Sequence, residues 1–231
     1  MSILAKKSAI ALAAAASVAL VLSGCAASTP ALDAANCDDA ELKIGSLLPT
    51  TGNLAFLGPP EIAGVDAAIA EINAAGGVLG KCVSVSHKDS GDTTTDTATQ
   101  SATALINEGV DAIVGAASSG VSLSVIDQVT GAGVVQISPA NTAPSLSTYA
   151  DNGFYFRTAP SDLLQGRVLA NQILQDGADT VAVLFQDTVY GRGLNLQLKA
   201  VLEKAKATVT SVVFPEGETS VASFVDKALT G

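Results

Sequence analysis

Three turns rich in small and hydroxyl-bearing residues hold the groups of this chain best suited to chemistry, and that chemistry is the binding of a small polar ion. The first, Gly115-Ala116-Ala117-Ser118-Ser119-Gly120, pairs small side chains, which let backbone N–H groups approach a ligand, with two hydroxyl donors. Between a strand and a helix it forms a cradle for a carboxylate, and it equally fits an ordinary serine helix cap. The second, Ser138-Pro139-Ala140-Asn141-Thr142-Ala143-Pro144, is stiffened by proline and offers the Thr142 hydroxyl beside free backbone groups. It reads as one wall of a polar pocket or as a crossover loop. The third, Gln186 to Gly193, carries Tyr190, which either closes on a ligand or lies at the surface.

Covalent and metal chemistry find less support. Val121-Ser122 stand where a phosphate loop requires Lys followed by Ser or Thr, and no G-x-G-x-x-G is present for a dinucleotide. A nucleophile elbow around Ser118 or Ser119 needs its histidine later in the chain, whereas the single histidine, His87, precedes both. An envelope serine hydrolase using one of these serines is thus the weaker alternative. Asp89-Ser90-Gly91-Asp92 lacks the spaced oxygens and closing Glu of a calcium loop, and its carboxylates read as turn and helix-cap groups. One His and three Cys are too few soft ligands for a usual zinc or iron-sulfur site, so neither a metal nor a cofactor is expected. A formal charge of −10 argues against a nucleic-acid partner, and 4% aromatic residues without Trp argue against a base-stacking platform.

The elements that must position the three turns alternate between strand and helix. With 231 residues, 48% hydrophobic and 15% charged, the chain can bury one or two α/β cores. Strands are expected at 42–48, 83–87, 112–114, 134–138, 154–158, 180–185 and 209–214, and helices at 59–75, 96–107, 120–132, 162–175, 193–205 and 221–229. In the first helix Ile62, Val65, Ile69 and Ile72 recur at helical spacing before Gly76-Gly77. Such alternation implies βαβ units on mostly parallel sheets. The irregular stretch 139–153 divides a first unit, 41–153, from a second, 154–231, whose pattern calls for a further strand after the last helix. The second unit therefore reads as incomplete, as in a fragment or truncated reading frame.

Lys6 and Lys7 followed by an apolar run to Leu22 have the form of an export signal over 1–24, too short to span a bilayer. Leu22-Ser23-Gly24-Cys25 resembles the bacterial lipobox, whose Cys becomes the lipidated first residue. Acyl chains contribute about 0.8 kcal/mol per buried CH₂, so a multiply acylated Cys25 would hold the protein at a membrane. A flexible tether of small residues follows over 25–40. Cys37 and Cys82 then remain as an even pair in an oxidising setting, just before the first strand and at the start of the second. A disulfide is expected, with two independent thiols as the alternative.

Taken in order, several landmarks resemble the leucine-binding family of branched-chain amino-acid-binding proteins of ABC importers, which have the type I periplasmic-binding fold. They are Ile44-Gly45 with Pro49-Thr50-Thr51-Gly52, Glu71 to Val78, Ile137-Ser138-Pro139-Ala140, Phe156-Arg157-Thr158 with Gln165-Gly166, and Tyr190-Gly191. The resemblance implies two Rossmann-like α/β lobes with parallel sheets that close on a ligand and present it to a permease served by an ATPase, without catalysis. It places the protein outside the cytoplasmic membrane on a lipid anchor. It also implies that the ligand carboxylate meets Ser119 and Thr142, the ammonium meets the Ala140 carbonyl, and Ala117 and Ser118 line the same wall. Tyr190 matches a family tyrosine of the second lobe. Leu57 stands where many members carry a bulky aromatic, and the family's acidic ammonium partner belongs later in the chain than Gly231. Related receptors take urea, amides or aromatic acids, and a sensory lobe for such ligands is a further alternative.

Overall fold

The computed structural model describes residues 37–230; the expected signal peptide, the lipid-bearing Cys25 and most of the tether lie outside them. Strand β1 (Asp38–Leu48) leads into α1 (Gly58–Ala74), and β2 (Lys81–Asp89) into α2 (Thr97–Asn107). Strand β3 (Ala112–Gly115) leads into α3 (Ser119–Gly131), then β4 (Val135–Ser138), a 3₁₀ turn (Pro144–Thr148) and β5 (Tyr155–Arg157). Helix α4 (Asp162–Gln175), β6 (Thr180–Gln186), α5 (Val189–Lys204), β7 (Thr208–Phe214) and α6 (Ala222–Thr230) follow. The alternation thus yields the expected α/β architecture.

The first five strands form one parallel sheet in the order β2-β1-β3-β4-β5, and β6 and β7 form a second parallel pair. Order 2-1-3 means that the chain reverses direction across the sheet between β1 and β3, which opens a crevice beyond their carboxyl ends. Leu47, Leu105, Ile113, Val121, Val125 and Val129 form the core between this sheet and helices α2 and α3. Each such aliphatic side chain stabilises the fold by roughly 1.5–3 kcal/mol. A separate core of Ala170, Leu198, Leu202 and Ala207 joins α4 and α5 under the second pair.

Several expectations shift. Strand β1 starts at Asp38 and not at Leu42, because Asp38 pairs with Lys81 and its amide donates to the Gly80 carbonyl at 3.1 Å. The tether expected over 25–40 therefore ends before these polar, exposed strand residues. Stretch 139–153 is not the passage to the second unit: Leu146 and Tyr155 pack with Ile126, and β5 pairs with β4. The division expected at 153/154 falls ahead of a strand that belongs to the first sheet, and the chain leaves that sheet after Arg157. Helix α5 begins four residues earlier than Gly193, because the Thr188 hydroxyl accepts from the Gly191 amide and caps it at Val189. In α1 Ile62, Val65 and Ile69 of the helical stripe are only half-buried and Ile72 is 38% exposed. The buried member of that helix is Gly58, where a Cβ would lie 1.8 Å from the Pro49 carbonyl oxygen.

The sulfurs of Cys37 and Cys82 are joined, with Cα atoms 5.1 Å apart. Neighbouring registers on β1 and β2 set this distance, which suits a disulfide without backbone movement.

Candidate functional site

A cleft of about 490 Å³ lies beyond the carboxyl ends of the strands of both sheets. Leu57 reaches it from the loop after β1, Ala117, Ser118 and Ser119 from the turn after β3, Ala140 and Thr142 from the loop after β4, and Tyr190 from the first turn of α5. All the residues expected at a ligand site thus share one cavity. Asn53, Leu54, Phe56, Gln165, Gln186, Thr188 and Glu216 also line it and were not assigned a role from the sequence. Phe56 provides an aromatic ring one residue before Leu57.

The turn after β3 is sewn to the loop after β4 by buried polar groups. The Ala116 carbonyl accepts from Ser138 Oγ at 2.7 Å and from Asn141 Nδ2 at 3.0 Å, and the same Nδ2 donates to the Ala117 carbonyl at 2.8 Å. Tyr155 completes the arrangement by donating its hydroxyl to Asn141 Oδ1 at 2.8 Å. Burial pushes the Tyr155 phenol up to about 12, against the pull of Arg157 and Ser138, so the phenol keeps the proton it donates. Asn141 is fully buried and fixes both loops at once.

Ser118 precedes α3 in an extended conformation, and its side chain makes no capping hydrogen bond. The first amides of a helix have no partner within it, and those of α3 start at Ser119, which lines the cleft. Ser119 is 4% exposed, and its Oγ accepts from the amides of Thr142 and Ala143, each at 3.3 Å. With its lone pairs engaged there, its own proton is free to be donated.

Thr142 is held twice by Asp162 on the first turn of α4. Its carbonyl accepts from the Asp162 amide at 2.9 Å, and its hydroxyl donates to Asp162 Oδ2 at 3.1 Å. Asp162 is 0% exposed, and its Oδ1 is buried without a hydrogen-bond partner among the described residues. Burial raises its pKa, partly offset by the Thr142 hydroxyl and the Arg157 guanidinium. Arg157 is itself committed to the Ala143 carbonyl at 2.8 Å and to Ser147 Oγ at 2.6 Å.

Two further anchors set the remaining walls. Asp89 at the end of β2 accepts from the amides of Thr50 and Gly91 at 2.8 and 2.9 Å and from the Thr51 hydroxyl at 2.5 Å, which pins the loop that carries Leu57. On the other side, Gln165 Nε2 donates to the Tyr190 hydroxyl at 3.3 Å. Tyr190 remains 42% exposed, with its ring available to a ligand.

The hydrolase alternative fails on geometry. His87 Nδ1 lies 2.7 Å from Ser46 Oγ and Nε2 lies 3.0 Å from Asp66 Oδ1, so both ring nitrogens are taken by groups other than Ser118 or Ser119. Ser46 is itself fully buried in β1 and cannot meet a substrate.

A family model described as periplasmic binding protein matches residues 41–230. A Leu/Ile/Val-binding protein homolog from Brucella melitensis is 31% identical over 170 residues, which is 73% of this chain and 46% of that protein. Among solved structures, the branched-chain amino acid transporter substrate-binding protein LivJ from Streptococcus pneumoniae, in complex with isoleucine, superposes with a TM-score of 0.70 at 29% identity, over 80% of this chain and 53% of that one. The leucine-binding protein LivK from Thermotoga maritima gives a TM-score of 0.73 at 26% identity, over 82% and 53% of the respective chains. The chain therefore spans about half the length of the relatives it matches.

Proposed function

The chain belongs to the periplasmic binding protein family, and from that premise we propose that it is the extracytoplasmic solute-binding subunit of an ABC importer for a branched-chain or related amino acid. The observation that carries this reading is the convergence of Ser119, Ala140, Thr142 and Tyr190 on one cleft from both sheets. The ligand carboxylate accepts from the Ser119 hydroxyl and the uncapped amides at the start of α3. Its ammonium donates to the Ala140 carbonyl. Thr142, whose proton rests on Asp162, offers the cleft a lone pair, so its hydroxyl serves the ammonium and not the carboxylate first expected of it. Leu57 and Phe56 supply apolar surface for the side chain, and Tyr190 closes over it.

Nothing in this arrangement breaks a bond; capture, closure and release to a permease and its ATPase constitute the activity. Acylation of Cys25 would keep the protein at the outer face of the membrane. Calorimetric titration of the full chain with L-leucine, L-isoleucine and L-valine tests the reading. Saturable one-to-one binding that weakens about tenfold or more in Ser119→Ala is expected, and absence of any amino-acid binding would refute it.

A further inference from the structure

The first sheet has β2 at one edge and β5 at the other, and the chain crosses to the second pair of strands after β5. Adjacent strands lie about 4.8 Å apart, so four spacings put the β2 edge roughly 19 Å from this crossover. At that far edge Thr93, in the segment between β2 and α2, donates its hydroxyl to Glu216 Oε2 at 2.5 Å. Glu216 belongs to the loop that leaves β7, so the bond joins the two halves at a long lever arm from their connection. The surroundings are closely fitted. A Cβ added at Gly120 on α3 would lie 2.8 Å from the Thr93 methyl and 3.7 Å from a methyl of Val189 on α5, and one added at Gly217 would lie 3.7 Å from the Asn53 side-chain amide. Nearer the crossover the halves also touch: a Cβ added at Gly193 of α5 would stand 3.0 Å from Cδ of Pro144, in the turn between β4 and β5.

We infer that the bond between Thr93 and Glu216 is a latch that holds the cleft shut and sets how long a ligand stays inside. The inference rests on the binding-protein reading and adds to it a device that acts on whatever ligand the cleft accepts. An opening that pivots on the crossover by about 10° carries the β2 edge about 3 Å, past the reach of a hydrogen bond, whereas the contact between Gly193 and Pro144 moves far less. The bond therefore belongs to the closed arrangement and is lost early in opening. A hydroxyl held by a carboxylate makes a strong hydrogen bond, and water partly replaces it once the halves part, so the net effect is a modest bias toward closure. An interaction made only in the closed state raises the population of that state and slows release. Among the described residues that line the cleft Glu216 is one and Thr93 is not, so removing the Thr93 hydroxyl changes closure without removing a ligand contact.

The test uses the full chain and two variants: Thr93→Val keeps the shape and removes the donor, and Thr93→Ser keeps the donor. Amide hydrogen exchange without ligand is the first readout. Thr93→Val should raise exchange several-fold at 117–120 and 216–218, on the two walls of the cleft, and leave the core strands β3 and β4 unchanged, while Thr93→Ser follows wild type. Stopped-flow release of L-leucine is the second. Thr93→Val should speed dissociation several-fold with association within about twofold of wild type, and Thr93→Ser should restore slow release. Exchange and release that match wild type in Thr93→Val would overturn the latch. A rise in exchange that runs through β3 and β4 would mean loosening of the whole first half and would also overturn it. If leucine does not bind but exchange rises at the cleft walls alone, the amino-acid reading falls and the latch stands.

Discussion

The Thr142 hydroxyl and the Asp162 carboxylate stand 3.1 Å apart at the rim of the cleft, and the backbone of the same two residues is joined by a second bond at 2.9 Å. A ligand-facing hydroxyl is thereby aimed by a carboxylate that water does not reach. Burial raises the Asp162 pKa, so the folded protein holds this proton more tightly than the unfolded chain. The resulting stabilisation is fully present below the ordinary aspartate value and is lost as pH rises through the raised folded value. Asp162→Asn should remove that dependence. Thermal unfolding of both proteins from acid to neutral pH should show wild type gaining on the variant as pH falls, and parallel curves would contradict the assignment.

Ser119 and Ser118 are neighbours with different duties. Ser119→Ala strips the acceptor from two amides, Thr142 and Ala143, and should cost about 1–3 kcal/mol of stability for each amide left unsatisfied. Ser118→Ala removes a side chain that caps nothing and should leave stability within about 0.5 kcal/mol of wild type. Denaturant titration of the pair separates the two roles.

Asp89 behaves oppositely to Asp162 toward acid. Burial pushes its pKa up, but bonds from the Thr51 hydroxyl and the amides of Gly91, Thr50 and Thr51 outweigh this and bring it down to about 2. Its contribution is present above the ordinary aspartate value of 3.8 and disappears as pH falls toward 2. Asp89→Ala should lower the melting temperature at neutral pH, abolish this part of the acid dependence, and weaken ligand binding several-fold by releasing the loop that carries Leu57.

Gly191 lies where a Cβ would come within 2.2 Å of the Gln186 carbonyl oxygen. Gly191→Ala forces the first turn of α5 away from β6, which displaces Tyr190. Overpacking of this kind costs about 1–3 kcal/mol. Loss of ligand affinity should accompany the lower melting temperature; a variant that melts early yet binds normally would show that Tyr190 does not contact the ligand.

Reduction of Cys37–Cys82 opens a covalent loop with a sequence separation of 45 and should destabilise the protein by about 2–4 kcal/mol. Melting with and without a reductant measures it, and Cys82→Ser should reproduce the reduced value.

Much of this architecture was legible because local periodicity and burial agree. Leu198 and Leu202, spaced at one helical turn, are both buried against the second sheet, and Ile113 and Leu47 occupy the centre of the first. The binding turns were legible for the same reason, since strand ends and helix starts determine where small and hydroxyl residues must gather. Asp162 was not, because an acidic residue after Ser161 reads as ordinary first-turn chemistry; only the return of α4 onto Thr142 gives it a partner. Asn141 looked like one polar residue of a loop, although it binds two turns at once. Glu216 gave no local signal, since its place at the cleft depends on a contact 123 positions away. The exposure of α1 was illegible for the converse reason: a helical stripe of isoleucine states what could be buried and says nothing of what covers it.

Mechanically, the bond between Cys37 and Cys82 changes how the fold bears load. It sits at the leading end of two parallel strands, where the chain N-terminal to Cys37 enters. Tension arriving along that segment is shared at once between β1 and β2, so β1 cannot be peeled from its neighbour one hydrogen bond at a time. The weak, solvent-facing start of β1 is spared, and the cleft at the far end of the same strands is insulated from the pull.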